Sequence, residues 1–540
     1  MVLGAYPRSP KLKVVGGYSP SHQGGASVVH TTGPGPSLQE GPDGEARYRL
    51  VPGEDAKGVP LRLEKDSLGE LEVPADAYWG IHTARALVNF PITRRAISNY
   101  PDLIRGIARV KQAAARANND IGALSAEKAD IIDQVCEELW SGALHDQFVL
   151  GAVQGGAGTS TNMCANEIIA NRGLELMGHQ KGQYEYLHPI DDVNRSQSTN
   201  DVYPTAIKLG MVLGVQRLFE EHQLLAQAFA QKGLEFQSIL KVGRTQLQDA
   251  VPMTLGQEFG GFATTLREDH DRIKETIPFL CEINLGATAI GTGITADPRY
   301  PEVVREHLAT LTGLDIRTAP DLIEATSDAG VFMTLSGTLK RAAVKLSKIC
   351  NDLRLLSSGP QAGLGEITLP ARQAGSSIMP GKVNPVIPEV VNQVAFAIIG
   401  SDATVTAAAE AGQLQLNAFE PIIASSILQS VVWLTNACKT LRVNCVEGIT
   451  ANEERLHQQV EASVGVVTAL TPYIGYSQAA AIAYEALAGV GTVRELVIAQ
   501  GLMDEAELER VLSPERLSGL TLPTGVITLP PVDLDVEESD

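Results

Sequence analysis

Aromatic residues make up only 5% of this chain, so an aromatic-rich sandwich or barrel of short strands is not expected. Cysteine is also sparse. Cys136, Cys164, Cys281, Cys350, Cys438 and Cys445 are scattered, and no pair has CxxC spacing. Neither a zinc site nor a disulfide framework is expected, and the pattern suits a reducing cytoplasm. No unbroken run of 18 apolar residues occurs, and the N-terminus has no signal-peptide core. Positive charge is in deficit: 43 Lys and Arg face 63 Asp and Glu, a net charge of −20. Such a surface repels nucleic acid and anionic membranes, so neither is expected as a partner. It also mildly repels anionic substrates. Any anion site must therefore generate its own positive potential locally.

What the chain does have is Ala, Leu, Val and Ile in helical patterns. Residues 1–59, rich in Gly, Pro, Ser and His, read as a disordered extension. Residues 60–197 mix short helices with polar loops. Residues 198–454 carry long helical patterns. In 333–357, Leu335, Leu339, Ala342, Leu346, Ile349, Leu353 and Leu356 alternate spacings of three and four, a seam that faces other helices of a bundle. Residues 455–520 read as a small helical domain, and 521–540 as an acidic flexible tail. The expected fold class is mainly α.

One segment cannot be helix or central strand. In GSSIMPGKVNP (375–385) two glycines and two prolines break both periodicities. Its Ile378, Met379 and Val383 would let the loop close over a ligand and exclude water. Ser376 and Ser377 offer hydroxyls, Lys382 a point charge and Asn384 an amide, a set suited to a small carboxylate. Alone, it would equally serve as a connector with a solvated lysine. Three more polar clusters interrupt apolar sequence: Thr159-Ser160-Thr161-Asn162, SQSTND at 196–201, and GRTQLQDAVP at 243–252. Helix capping or ordinary loop chemistry would explain any one of them. GGAGTS lacks the Gly-Lys-Ser/Thr ending of a phosphate loop.

Together the four clusters resemble the aspartase/fumarase superfamily of lyases, whose signature loop matches GSSIMPGKVNP. GTSTNMCANEIIANRGLELMG (158–178), HPIDDVNRSQSTNDVYPT (188–205), GRTQLQDAVPMTLGQEF (243–259), EINLGATAIGTG (282–293) and DLIEATSD (321–328) extend the match. It covers about residues 60–515. NPVIPEVVNQVAF (384–396), AAEAGQLQLNAFEPII (408–423) and LRLLSSGPQAGLGEI (353–367) lean towards the aspartate ammonia-lyases of that superfamily. Gln246 stands where fumarases, and some aspartases, hold a histidine paired with a glutamate matching Glu389; other aspartases carry glutamine, as this chain does. Glutamine has no protonation change near neutral pH, which favours expulsion of an already protonated amine over handling of water.

The resemblance implies a three-domain fold around a long helical bundle, a homotetramer with composite active sites, and deamination of L-aspartate, a small dicarboxylate, to fumarate and ammonia. It implies Ser376 as base. Thr159, Ser198, Thr199 and Ser377 would surround the side-chain carboxylate, Lys382 and Asn384 the other one, and Asn200, Thr245 and Gln246 the amino group. Glu389 is a supporting residue. No cofactor is implied; some relatives are activated by a divalent cation, but no metal cage is visible in the sequence. Ile190 replaces the asparagine of a second anion site known in fumarases, so that site is not expected. The rival readings are a class II fumarate hydratase and a non-catalytic lyase-derived helical scaffold.

Overall fold

The computed structural model describes residues 60–517 together with two short strands upstream. Those strands, β1 (Ser37–Glu40) and β2 (Ala46–Arg49), pair antiparallel within the segment expected to lack regular structure. The rest of that extension, and the acidic tail, lie outside the described residues. A hairpin, β3 (Leu61–Asp66) and β4 (Gly69–Pro74), opens the described body. Helices α1 (Ile81–Asn89), α2 (Pro101–Asp120), α3 (Ala126–Trp140) and α4 (Thr159–Leu176) follow.

The bundle is built on α5 (Thr199–Glu235), a helix of 37 residues. At 1.5 Å per residue it is about 55 Å long. Its start is fixed by a capping box, in which Ser198 and Asp201 each bind the other's backbone N–H. Past its far end, β5 (Leu240–Thr245) and β6 (Gln248–Thr254) form a hairpin. Then α6 (Leu255–Lys274) runs back along α5. A shorter helix, α7 (Tyr300–Thr312), packs on α2. Next come α8 (Gly330–Leu356), α9 (Val386–Glu410) and α10 (Glu420–Asn444). Helix α9 lies between α8 and α10, and α10 returns to α5.

The heptad-like positions of α8, from Leu335 to Leu356, are all buried, as their spacing requires. The six cysteines are buried free thiols. A second, smaller core joins helices of residues 453–511 to Leu240 and Val242 of β5, so the small helical domain is anchored on a strand of the long-helix region. Helices α9 and α10 are long and apolar enough, by length and composition, to cross a membrane. In α9 only 28% of the most apolar stretch is buried, and Val390, Phe396 and Ile399 face outward.

Candidate active site

At the start of α5, Thr159, Ser198, Thr199 and Asn200 come together. Gly158 begins α4 with φ of 87°, and a methyl group on it would lie 2.3 Å from the Tyr203 ring. Only glycine lets α4 approach α5 this closely. Thr159, the next residue, is exposed and donates its hydroxyl to the Gly156 carbonyl at 2.7 Å. Thr199 is buried and accepts from Asn162 Nδ2 at 3.0 Å. Asn200 donates to the Ala289 carbonyl at 2.7 Å and accepts from Asn284 at 3.0 Å. The Ser198 hydroxyl that caps α5 also stands at the cluster. Two helix N-termini converge here, which favours an anion.

The remaining site residues lie at the other end of the bundle. Thr245 and Gln246 sit at the tip of the β5–β6 hairpin and are exposed. The capping explanation fails there, because no helix begins at Thr245. Gln246 and Leu247 both have positive φ, 54° and 63°. A two-residue hairpin turn demands this, yet neither is the usual Gly or Asn. Below the tip, the buried carboxylate of Glu366 pairs with Lys241 at 2.8 Å and with Arg244.

The segment 375–385 is a loop, as its sequence requires, and it closes on itself. Gly375 N–H donates to the Lys382 carbonyl at 2.8 Å, and Asn384 Nδ2 donates to the Gly375 carbonyl at 3.0 Å. A methyl group on Gly375 would meet the Lys382 carbonyl at 2.5 Å. Inside this loop, Ser376 Oγ accepts the backbone N–H groups of Ile378 at 3.1 Å and Met379 at 3.0 Å. Two donors aimed at one hydroxyl oxygen favour negative charge on it. Ser377 and Lys382 are exposed, and no ion pair engages the Lys382 ammonium among the described residues. Glu389 lies half-buried in the first turn of α9.

One chain cannot bring these groups together. Helix α8 begins beside the Asn200 cluster, where Thr326 accepts from Asn284, and ends beside the hairpin, where the Leu356 carbonyl accepts from Glu366. The loop follows that end, and α9 then runs back along α8, with Asn392 bonded to Ser347 at 2.8 Å. Ser376 and Gln246 are therefore separated from Ser198 by most of the length of α5.

A lyase family model matches residues 69–400, and a fumarase C C-terminal model matches residues 466–519. The aspartate ammonia-lyase of Pseudomonas canavaninivorans is 61% identical over 463 residues, 86% of this chain and 98% of that protein. That of Escherichia coli (strain K12) is 53% identical, over 85% of this chain and 96% of that protein. The chain belongs to the lyase family, on its aspartate ammonia-lyase branch. Among solved structures, a fumarate lyase:delta crystallin from Brucella melitensis bound to cobalt is 53% identical with a TM-score of 0.83, covering 85% of this chain and all of that one. The class II fumarase of Schistosoma mansoni is 33% identical with a TM-score of 0.80, over 86% of this chain and 100% of that one.

Several residues of this family member escaped sequence reasoning. Lys111 on α2 is fully buried and donates to Asn194 Oδ1 and Gln197 Oε1, both at 2.9 Å. Asn118, one helical face along, holds Arg195 and Ser196. Together they pin the turn ahead of Ser198. Burial pushes Lys111 down to about 7, against the pull of the Asp201 carboxylate. Burial pushes Asp201 up to about 7, although the N–H groups of Ser198, Gly286 and Thr288 stabilise its ionised form. A lysine in an Ala-rich helical stretch, KQAAARAN, was the available signal: its neighbours are core residues, so its charge is buried with them. Among the described residues, no group of three or more His, Cys, Asp or Glu side chains stands together as metal ligands.

Proposed function

We propose that the protein deaminates L-aspartate reversibly to fumarate and ammonia. The observation that carries the chemistry is the Ser376 hydroxyl held by two backbone N–H groups inside a loop that also presents Lys382. A serine needs such stabilisation to act as base towards a carbon beside a carboxylate. Removing that proton puts a second negative charge on the carboxylate. The hydroxyls of Thr159, Ser198, Thr199 and Ser377 receive it, preorganised and without reorganisation during the step. Lys382 and Asn384 hold the other carboxylate. Asn200, Thr245 and Gln246 orient the amino group, which leaves as ammonia with no proton relay through Gln246 and Glu389.

Because the clusters occupy opposite ends of α5, the working enzyme is a homotetramer in which each site draws residues from different copies. The outward apolar residues of α9 support this reading, since such a face calls for a partner. The same face packing against other copies, and six free thiols, suit a cytoplasmic protein rather than a membrane-bound one. The donors named above suffice for the chemistry without a cofactor; unchanged turnover after chelation, and no gain on adding divalent cations, would bear that out.

The test is the appearance of fumarate absorbance from L-aspartate and from malate on one preparation. Aspartate turnover with negligible malate dehydration is expected. Faster malate dehydration would replace this reading with fumarate hydratase, and no turnover of either would leave a non-catalytic scaffold.

A further inference from the structure

We propose that Lys111 is a positioning residue whose buried ammonium supplies the positive potential beneath the hydroxyls that receive the reacting carboxylate; this rests on the ammonia-lyase reading above. The chain as a whole carries a net charge of −20, so attraction for a dianion must be local. Lys111 does not touch the cluster directly. Its ammonium bonds Asn194 Oδ1 at 2.9 Å, the same oxygen accepts Asn162 Nδ2 at 3.1 Å, and Asn162 Nδ2 reaches Thr199 Oγ1 at 3.0 Å. Three contacts of about 3 Å place the charge within about 9 Å of the Thr199 hydroxyl. Asn166 Nδ2 adds a further bond to the same Asn194 oxygen at 3.1 Å.

The network is asymmetric. Every named hydrogen-bond partner of the ammonium is a neutral amide oxygen, and the Asp201 carboxylate acts on it only through space. The Asp201 carboxylate instead spends its acceptors on the backbone of Ser198, Gly286 and Thr288. A charge held this way acts most on the state with the most negative charge. That state is the dianionic carboxylate formed after proton removal, not the bound substrate. The effect therefore falls on kcat more than on KM. At an effective dielectric of about 20, one full charge at about 9 Å, the state of Lys111 below about pH 7, changes the rate roughly twentyfold.

Two full-length variants separate charge from scaffolding. Lys111→Met keeps the stem and removes the charge and the donors. Asn194→Asp keeps the oxygen that Lys111, Asn162 and Asn166 bond and sets a negative charge against the ammonium, at the loss of the Asn194 Nδ2 bond to the Gln197 carbonyl. Both are assayed for kcat, for KM, for inhibition by succinate, and for inhibition by 3-nitropropionate as its dianion, which mimics the doubly charged intermediate. The expected result is a roughly twentyfold loss of kcat and of nitronate affinity in both variants, with succinate affinity changed by less than about threefold. Should Lys111→Met fail to assemble, Asn194→Asp decides alone. Wild-type kcat in folded Asn194→Asp would overturn the proposal and leave Lys111 a scaffold residue. Equal losses for succinate and the nitronate would also overturn it, because ordinary binding would then account for both. A wild-type protein that turns over no aspartate would instead defeat the functional reading.

Discussion

The two ends of the bundle are built differently. At the start of α5, Thr199 is buried and its neighbours are tied by amides to Lys111, Asn162, Asn194 and Asn284. At the other end, Ser376, Ser377 and Lys382 ride on a loop whose side chains are largely exposed and whose hydrogen bonds are mostly its own. One chain thus ties down the Thr159, Ser198 and Thr199 hydroxyls at one end but leaves Ser376 and Ser377 on an open loop at the other. A receptor for a fixed anion gains from rigidity, whereas a loop that closes over substrate must be able to move.

The largest effect should come from the loop. Ser376→Ala is expected to lower kcat by roughly 10²–10⁴-fold with fold and assembly intact, read by steady-state kinetics and light scattering. Retention of a tenth of the activity would remove Ser376 as base. Next, Lys382→Met should weaken competitive dicarboxylates and raise KM by about 2–5 kcal/mol in binding terms, measured by inhibition. Unchanged inhibition would show that this ammonium does not meet substrate.

Gly375→Ala should cost roughly a hundredfold in kcat, because a methyl at 2.5 Å from the Lys382 carbonyl prevents the loop from closing on itself. Its melting temperature should stay near that of the wild type, since the loop is exposed. A comparable loss of stability would mean that the loop is part of the core rather than an appendage.

The smallest effect belongs to the buried end. Glu420 opens α10, and burial pushes it up to about 8, against Lys208. A raised carboxylate holds a proton in the folded chain that the unfolded chain has released. Its stabilising contribution is full below the unfolded value and is lost as pH rises through about 8. Between about pH 5 and 6.5 that loss is about 2 kcal/mol. Glu420→Gln should flatten this slope in denaturant titrations at the two pH values. A variant that keeps the wild-type slope would place the titration elsewhere.

Much of this contrast could be read from the chain. The heptad-like spacing of α8 places its buried face, because apolar periodicity and burial are the same physical fact. Gly375, Pro380, Gly381 and Pro385 mark the loop, because they forbid the alternatives. The hairpin at Thr245 was less legible: Gln246 and Leu247 take positive φ without glycine, against their own backbone preference. Lys111 was illegible as part of the site, since its role arises from a turn more than 80 residues away in sequence. The separation of Ser198 from Ser376 also needed the three-dimensional path of α5 and α8. The chain order alone does not say at which end a loop falls.

The central claim is that a working site needs more than one copy. It is tested most directly by mixing two inactive full-length variants, Ser376→Ala and Thr199→Val, dissociating them together and letting them reassociate. Mixed assemblies hold some sites with both residues intact, so aspartate turnover should rise well above that of either variant treated alone. Turnover that stays at the level of the separate variants, with mixed assemblies demonstrated by mass, would contradict a site shared between copies.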